Sequence, residues 1–190
     1  MKKSELRKIS IAQRKEIAPN ETAEKSLLIL NNIFAYFDFT KTNFVHCFLP
    51  IKRFNEIDTH LIFHKIWQDF PRIQTVVPRV DFQTLKMTSL IYNAETELVE
   101  NSWNISEPKH DEFIEPERID AVFVPLLCAD KRGFRVGYGK GFYDRFLKDC
   151  RPDCLKIGLN YFQPVEEISD VTEYDIKLDF LVTPERVIVF

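Results

Sequence analysis

Lys140 stands between two glycines in the run Arg135-Val136-Gly137-Tyr138-Gly139-Lys140-Gly141-Phe142-Tyr143-Asp144, which holds three of the five glycines in a chain of 190 residues. Glycine permits positive φ and lets a ligand approach the backbone closely, so alternating glycines around a lysine describe a loop that wraps an anion with its own amides. Phosphate suits such a loop. The run is neither of the two common glycine-rich phosphate motifs. A Walker loop sets Ser or Thr after its lysine, whereas Lys140 precedes Gly141, and Phe142 fills the third glycine position of a dinucleotide fingerprint. A flexible strand-to-helix connection is the plain alternative, and the cations Arg135 and Lys140 beside a helix start weigh against it.

Other residues able to do chemistry are scattered. Lys3, Arg7 and Arg14 fall within about 40° of one another on a helical wheel, so one face of a first helix presents three cations, the ordinary role of which is solvation. Asp144 and Asp175 are carboxylates of the kind that hold a hard cation, although Asp144 also suits the first turn of a helix without any metal. Trp103 sits on a long loop, where an aromatic is more informative than in a core. Met87 lines the same pocket or fills the core. His60 and His64 would share a helix face, yet the glutamate of H-E-x-x-H and a third ligand are missing. Cys47, Cys128, Cys150 and Cys154 contain no C-x-x-C pair and read as reduced structural thiols.

The elements that must position these groups follow from periodicity. Helices are expected over 2–18, from Asn20 as N-cap to Phe37, over 58–70, and from Phe142 to Cys150, with Pro19-Asn20 breaking the first two apart. Strands are expected over 43–49, 73–77, 85–92, 97–99, 119–125, 155–159 and 180–182, with 187–190 as an edge; residues 101–117 read as one long loop. This alternation predicts an α/β fold, a single three-layer domain over 1–190 with a largely parallel sheet flanked by helices. The glycine loop then follows a strand's carboxyl end, where ligands bind in open α/β sheets.

Composition bounds the function. A chain of this length buries roughly 70 % of its unfolded surface and needs no disulfides. Its 45 % apolar content includes 17 phenylalanines, and no apolar run nears the ~20 residues of a membrane span. A net charge of −3 argues against nucleic acid as a partner. The segment Met1 to Arg7 is charged and lacks the features of a secretory signal, so a cytoplasmic location is expected.

A resemblance adds to this. Val124-Pro125-Leu126-Leu127-Cys128-Ala129-Asp130 followed by Gly133-x-Arg135-x-Gly137-x-Gly139-x-Gly141-x-Tyr143-Asp144-Arg145 resembles the signature of 5-formyltetrahydrofolate cyclo-ligases, also called 5,10-methenyltetrahydrofolate synthetases. Lys3-x-x-x-Arg7, Glu56-Ile57-Asp58-Thr59, Ser102-Trp103-Asn104-Ile105 with Glu107-Pro108, and Tyr174-Asp175-x-x-Leu178-Asp179 keep the family's order over nearly the whole chain. The resemblance implies conversion of 5-formyltetrahydrofolate and ATP to 5,10-methenyltetrahydrofolate, ADP and phosphate, through phosphorylation of the formyl oxygen and closure by N10. It places ATP at Lys3, Arg7, Arg135, Gly137, Tyr138, Gly139, Lys140, Gly141, Phe142 and Tyr143. Folate, with or without a polyglutamate tail, falls at Ile51, Glu56, Asp58, Trp103 and Tyr143, and Mg2+ at Asp144 and Asp175. Lys140, Arg135 and Tyr143 are the catalytic candidates, in a monomer or weak homo-oligomer.

Three departures stand out. Leu126-Leu127-Cys128-Ala129 replaces the usual Gly-Leu-Ala-Phe, Tyr138 stands where arginine is frequent, and Phe142 replaces a frequent tyrosine. They leave open a non-catalytic folate- or nucleotide-binding regulator on the same scaffold. A sugar-phosphate isomerase or acyl-transferase relative rests on fold analogy alone.

Overall fold

Residues 1–190 are described by a computed structural model. Its helices are α1 (Lys3–Lys15), α2 (Pro19–Tyr36), α3 (His60–Asp69) and α4 (Phe142–Asp149). Its strands are β1 (Phe44–Cys47), β2 (Gln74–Val80), β3 (Met87–Tyr92), β4 (Leu98–Glu100), β5 (Ser106–Pro108), β6 (Phe113–Ile114), β7 (Ala121–Pro125), β8 (Cys128–Ala129), β9 (Arg135–Val136), β10 (Leu155–Leu159), β11 (Phe180–Val182) and β12 (Val187–Val189). Eight of them form one sheet in the order β12-β11-β10-β7-β1-β2-β3-β6. The five central neighbours from β11 to β2 are parallel, and antiparallel β12, β3 and β6 close the two edges.

Helices cover both faces, which is why the central strands read as unbroken apolar runs. Side chains alternate across β7: Ala121 and Phe123 join Ile29 and Ile33 of α2 and Ile62, Phe63 and Ile66 of α3 in one core. Val122 and Val124 point the other way, to Phe146 and Leu147 of α4. Thus β1 leaves for β2 through α3 on one face, while β7 leaves for β10 through α4 on the other. The connections diverge, and a crevice opens beyond the carboxyl ends of β1 and β7. The hairpin β8–β9 projects there, with α1 packed on it through Leu6, Cys128 and Val136. All four cysteines are free and buried. No helix is long and apolar enough to cross a membrane.

The α/β architecture and largely parallel sheet are as expected, but several local expectations fail for identifiable reasons. Pro19 opens α2 at its first position with Ala18 as N-cap, so it starts a helix and Asn20 lies inside it. Strand β2 runs on through Pro78 to Val80. Residues 101–117 are not one loop: β5 pairs with β4, β6 extends the main sheet, and a 3-10 turn spans Pro116–Arg118. The two-residue strands β8 and β9, too short for any periodicity, separate β7 from the glycine loop.

Phe123 is fully buried at the sheet centre. Phe123→Ala is expected to cost about 3–5 kcal/mol, read as a lower urea midpoint at unchanged m. A loss below about 1 kcal/mol would show that the sheet and the α2–α3 layer do not share this core.

Candidate active site

A cavity of about 520 Å³ occupies the crevice, walled by Phe48, Leu49 and Pro125 after β1 and at the end of β7. One end is cationic. The N-terminal turns of α1 bring Lys3 and Arg7, β9 brings Arg135, and the loop brings Lys140 with Gly137 to Gly141. Glycine is required at two points: Gly139 has φ +96° with the Arg7 guanidinium 3.3 Å from where a Cβ would stand, and Gly141 caps α4 at φ +67°. Arg7 Nε donates to the Gly137 carbonyl at 2.9 Å, which holds the loop against α1.

The cations are already partnered, with one exception. Lys3 Nζ donates to Asp175 at 2.6 Å, and Arg135, almost fully buried, donates through one arm to Asp144 at 2.7 Å and through the other to the Ile176 carbonyl. Burial raises the Asp175 carboxyl, but hydrogen bonds from Lys3 and from Thr172 outweigh it, and the group lies below the usual carboxylate range. Lys140 is exposed. Asp144 and Asp175 line one cavity and both act on the Arg135 guanidinium. No group of three or more His, Cys, Asp or Glu could hold a metal through protein ligands alone. Two carboxylates nonetheless fit Mg2+, which in nucleotide sites takes one or two of them and completes its shell with phosphate and water.

Another part of the lining is aromatic and apolar. Phe82 packs against Trp103 in a tilted arrangement with centroids 4.8 Å apart, and Phe142 meets Phe82 edge-on at 5.4 Å. Trp103 is 54 % exposed, although it lines the cavity, and Met87 lines it too. Glu56 is buried in the lining: Oε2 accepts the Ile51 N–H at 2.8 Å, and Oε1 accepts the Tyr138 hydroxyl at 2.6 Å. Burial pushes its carboxyl up, and the two donated hydrogen bonds offset part of that rise.

The structure therefore gathers Lys3, Arg7, Ile51, Glu56, Trp103, Arg135, Gly137 to Asp144, and Asp175 around one space. Asp58 is not among the residues around it. Its carboxylate accepts the His60 N–H at 3.1 Å, at the start of α3, so it serves a helix terminus. Tyr138, expected at ATP, directs its hydroxyl to Glu56. Sequence reasoning missed Phe54 and Phe82, which lie in short connections after β1 and β2. Aromatics in loops rich in charged and turn residues were the available signal, as they were for Trp103.

It also missed His46. The pleat of β1 turns Val45 and Cys47 toward α2 and α3 and His46 toward α4. There Nδ1 lies 2.9 Å from Ser89 Oγ and Nε2 lies 3.4 Å from the Tyr143 hydroxyl, so a buried imidazole backs a cavity-lining phenol. Burial holds its pKa at about 3, and the ring is neutral in the folded protein.

With this geometry in view, relatives can be compared. The sequence profile of the 5-formyltetrahydrofolate cyclo-ligase family matches residues 1–184. The chain belongs to that family. It is 29 % identical over 178 residues to the 5-formyltetrahydrofolate cyclo-ligase of Escherichia coli K12, covering 92 % of this chain and 96 % of that one. The cyclo-ligase of Mus musculus is 28 % identical over 176 residues, covering 86 % and 84 %. The solved Aquifex aeolicus 5,10-methenyltetrahydrofolate synthetase superposes with a TM-score of 0.84 at 30 % identity, over 100 % of this chain and 93 % of its own. A Mycoplasma pneumoniae synthetase shares the fold at a TM-score of 0.77 and 24 % identity.

The sign of the His46 effect is fixed by its lowered pKa. Between about pH 3 and pH 6.5 the unfolded chain binds a proton at this residue that the native state does not. Its contribution is therefore complete above pH 6.5 and is lost as pH falls toward 3, at about 1.4 kcal/mol per pH unit. His46→Gln is expected to flatten the pH dependence of unfolding free energy by about that slope; an unchanged slope would place a proton on His46 in the native state.

Proposed function

We propose that this cyclo-ligase family member acts as one domain, using ATP and Mg2+ to close 5-formyltetrahydrofolate to 5,10-methenyltetrahydrofolate with release of ADP and phosphate. The observation that carries the reading is a single cavity lined by an amide-and-cation loop, a buried carboxylate and a group of aromatics. A phosphate donor and a flat heterocycle need those two kinds of lining, held close enough to react. Membership of the family favours this reading over the isomerase and acyl-transferase alternatives.

The chemical difficulty is a poor electrophile, since an N-formyl amide resists attack by N10. Transfer of the γ-phosphoryl group to the formyl oxygen turns that oxygen into a leaving group and releases ADP. N10 then adds to the formyl carbon and gives up its proton, and loss of phosphate leaves the methenyl bridge. No protein nucleophile is needed, so the chain's task is positioning and charge stabilisation.

Lys3, Arg7, Lys140 and the amides of Gly137, Gly139 and Gly141 would meet the triphosphate, with Lys3 passing from Asp175 to a phosphate oxygen. Asp144 and Asp175 would hold Mg2+, which supplies neutralisation of phosphate charge. Arg135, fixed by Asp144 and the Ile176 carbonyl, would face the transferred group without searching for it. Ile51, Trp103 and the aromatic wall would enclose the folate, with Glu56 accepting from its N–H groups. The Tyr143 hydroxyl, desolvated so that it stays protonated, would donate a hydrogen bond near the reacting carbon.

Mixing the protein with Mg2+ and 5-formyltetrahydrofolate is expected to raise methenyl-folate absorbance only when ATP is added; no product from folded protein refutes the reading. Lys140→Ala is expected to lower kcat/KM for ATP roughly 10- to 100-fold. Because Lys140 is exposed, its thermal midpoint should barely move. Equal losses of activity and stability would return Lys140 to a structural role.

A further inference from the structure

Arg14 is a buried guanidinium, 4 % exposed, whose Nε has no partner. One arm donates to the Leu126 carbonyl, and the other donates to the Tyr138 oxygen at 3.3 Å. A guanidinium can only donate, so Arg14 occupies a lone pair of that hydroxyl and leaves its single proton free. The proton goes to Glu56 Oε1 at 2.6 Å. Direction along the chain is thus fixed by chemistry: Arg14 to Tyr138 to Glu56. The Tyr138 ring is held as well, stacked on Phe54 with centroids 4.8 Å apart. With Oε2 pinned by the Ile51 amide, Glu56 has both oxygens oriented.

Residue 138 lies between two loop glycines. The glycine loop is therefore bonded, through one side chain, to the buried carboxylate of the cavity.

We propose that Tyr138 is a positioning residue: its hydroxyl, polarised by Arg14, sets Glu56 as an anionic acceptor for N–H donors of the folate and couples folate occupancy to the shape of the glycine loop. The inference rests on the proposed function, in which folate contacts Glu56. A ligand N–H on Glu56 adds a further bond to this network and so stiffens the Tyr138 side chain and the backbone from Gly137 to Gly139. Nucleotide then meets a loop already ordered, and by linkage each ligand tightens the other to the same degree. If Tyr138 merely packed on Phe54, its hydroxyl would be dispensable.

Calorimetric titration of the intact protein with 5-formyltetrahydrofolate, with and without a non-hydrolysable ATP analogue, tests this in wild type, Tyr138→Phe, Glu56→Gln and the double variant. Tyr138→Phe keeps the stacking ring and removes only the hydroxyl. It is expected to raise the folate Kd roughly tenfold and to bring the mutual enhancement of the two ligands close to one. In the Glu56→Gln background the same change should add less than twofold, because the hydroxyl acts through Glu56. A pH series gives a readout that simple packing would not move. Loss of the donated hydrogen bond lets the Glu56 carboxyl rise further, so the acid limb of folate binding shifts to higher pH; the titratable or charged groups acting with Glu56 are Arg14, Tyr138, Tyr143 and Tyr161. Wild type that binds no 5-formyltetrahydrofolate overturns the function and the inference together. Wild type that binds, with an unchanged Kd in Tyr138→Phe or fully additive losses in the double variant, overturns the inference alone.

Discussion

Helix α1 grips the glycine loop with charged side chains, and the shape of the cavity follows from that grip. A loop of alternating glycines has few side chains with which to hold itself. Here Arg7 hydrogen-bonds the Gly137 carbonyl and packs against the open side of Gly139, while Arg14 reaches under the loop to Tyr138. A residue with a Cβ at 139 would need a left-handed backbone and the space that Arg7 occupies. The helix is in turn fixed by the β8–β9 hairpin, so the sheet, the hairpin, α1 and the loop form one chain of support.

The electrostatics suit the exchange of partners that the proposed function requires. Lys3 and Arg135 rest on Asp175 and Asp144, two carboxylates beside the place where phosphate is expected. Such pairs keep buried or half-buried cations from being isolated, and they hold the side chains near their working positions. In the proposed function, incoming phosphate and its metal would trade one set of ionic contacts for another, with little new ordering of the protein.

Legibility in the sequence followed the range of the interactions. Strands buried on both faces announce themselves locally, as Ala121-Val122-Phe123-Val124 does, and the glycine run with its cations falls in the lining of the cavity. The expectations that failed involved partners far away in the chain. Nothing near residue 107 reveals that Ser106–Pro108 pairs with Leu98–Glu100, and Pro19 is a breaker or a helix opener depending on what its neighbours pack against. Asp58 lies two residues from Glu56, yet the turn into α3 sends one carboxylate to a helix terminus and the other into the cavity. The link from Arg14 to Tyr138 spans 124 residues and leaves no periodic trace.

Burial of every thiol has a practical side. Cys47, Cys128, Cys150 and Cys154 all sit in the packed interior, where a maleimide cannot reach a sulfur without local unfolding. Ser102 is exposed on the loop that carries Trp103. Ser102→Cys would therefore create one addressable position next to the cavity-lining Trp103, giving a fluorophore a defined place from which to time ligand binding without first stripping the protein of its own cysteines.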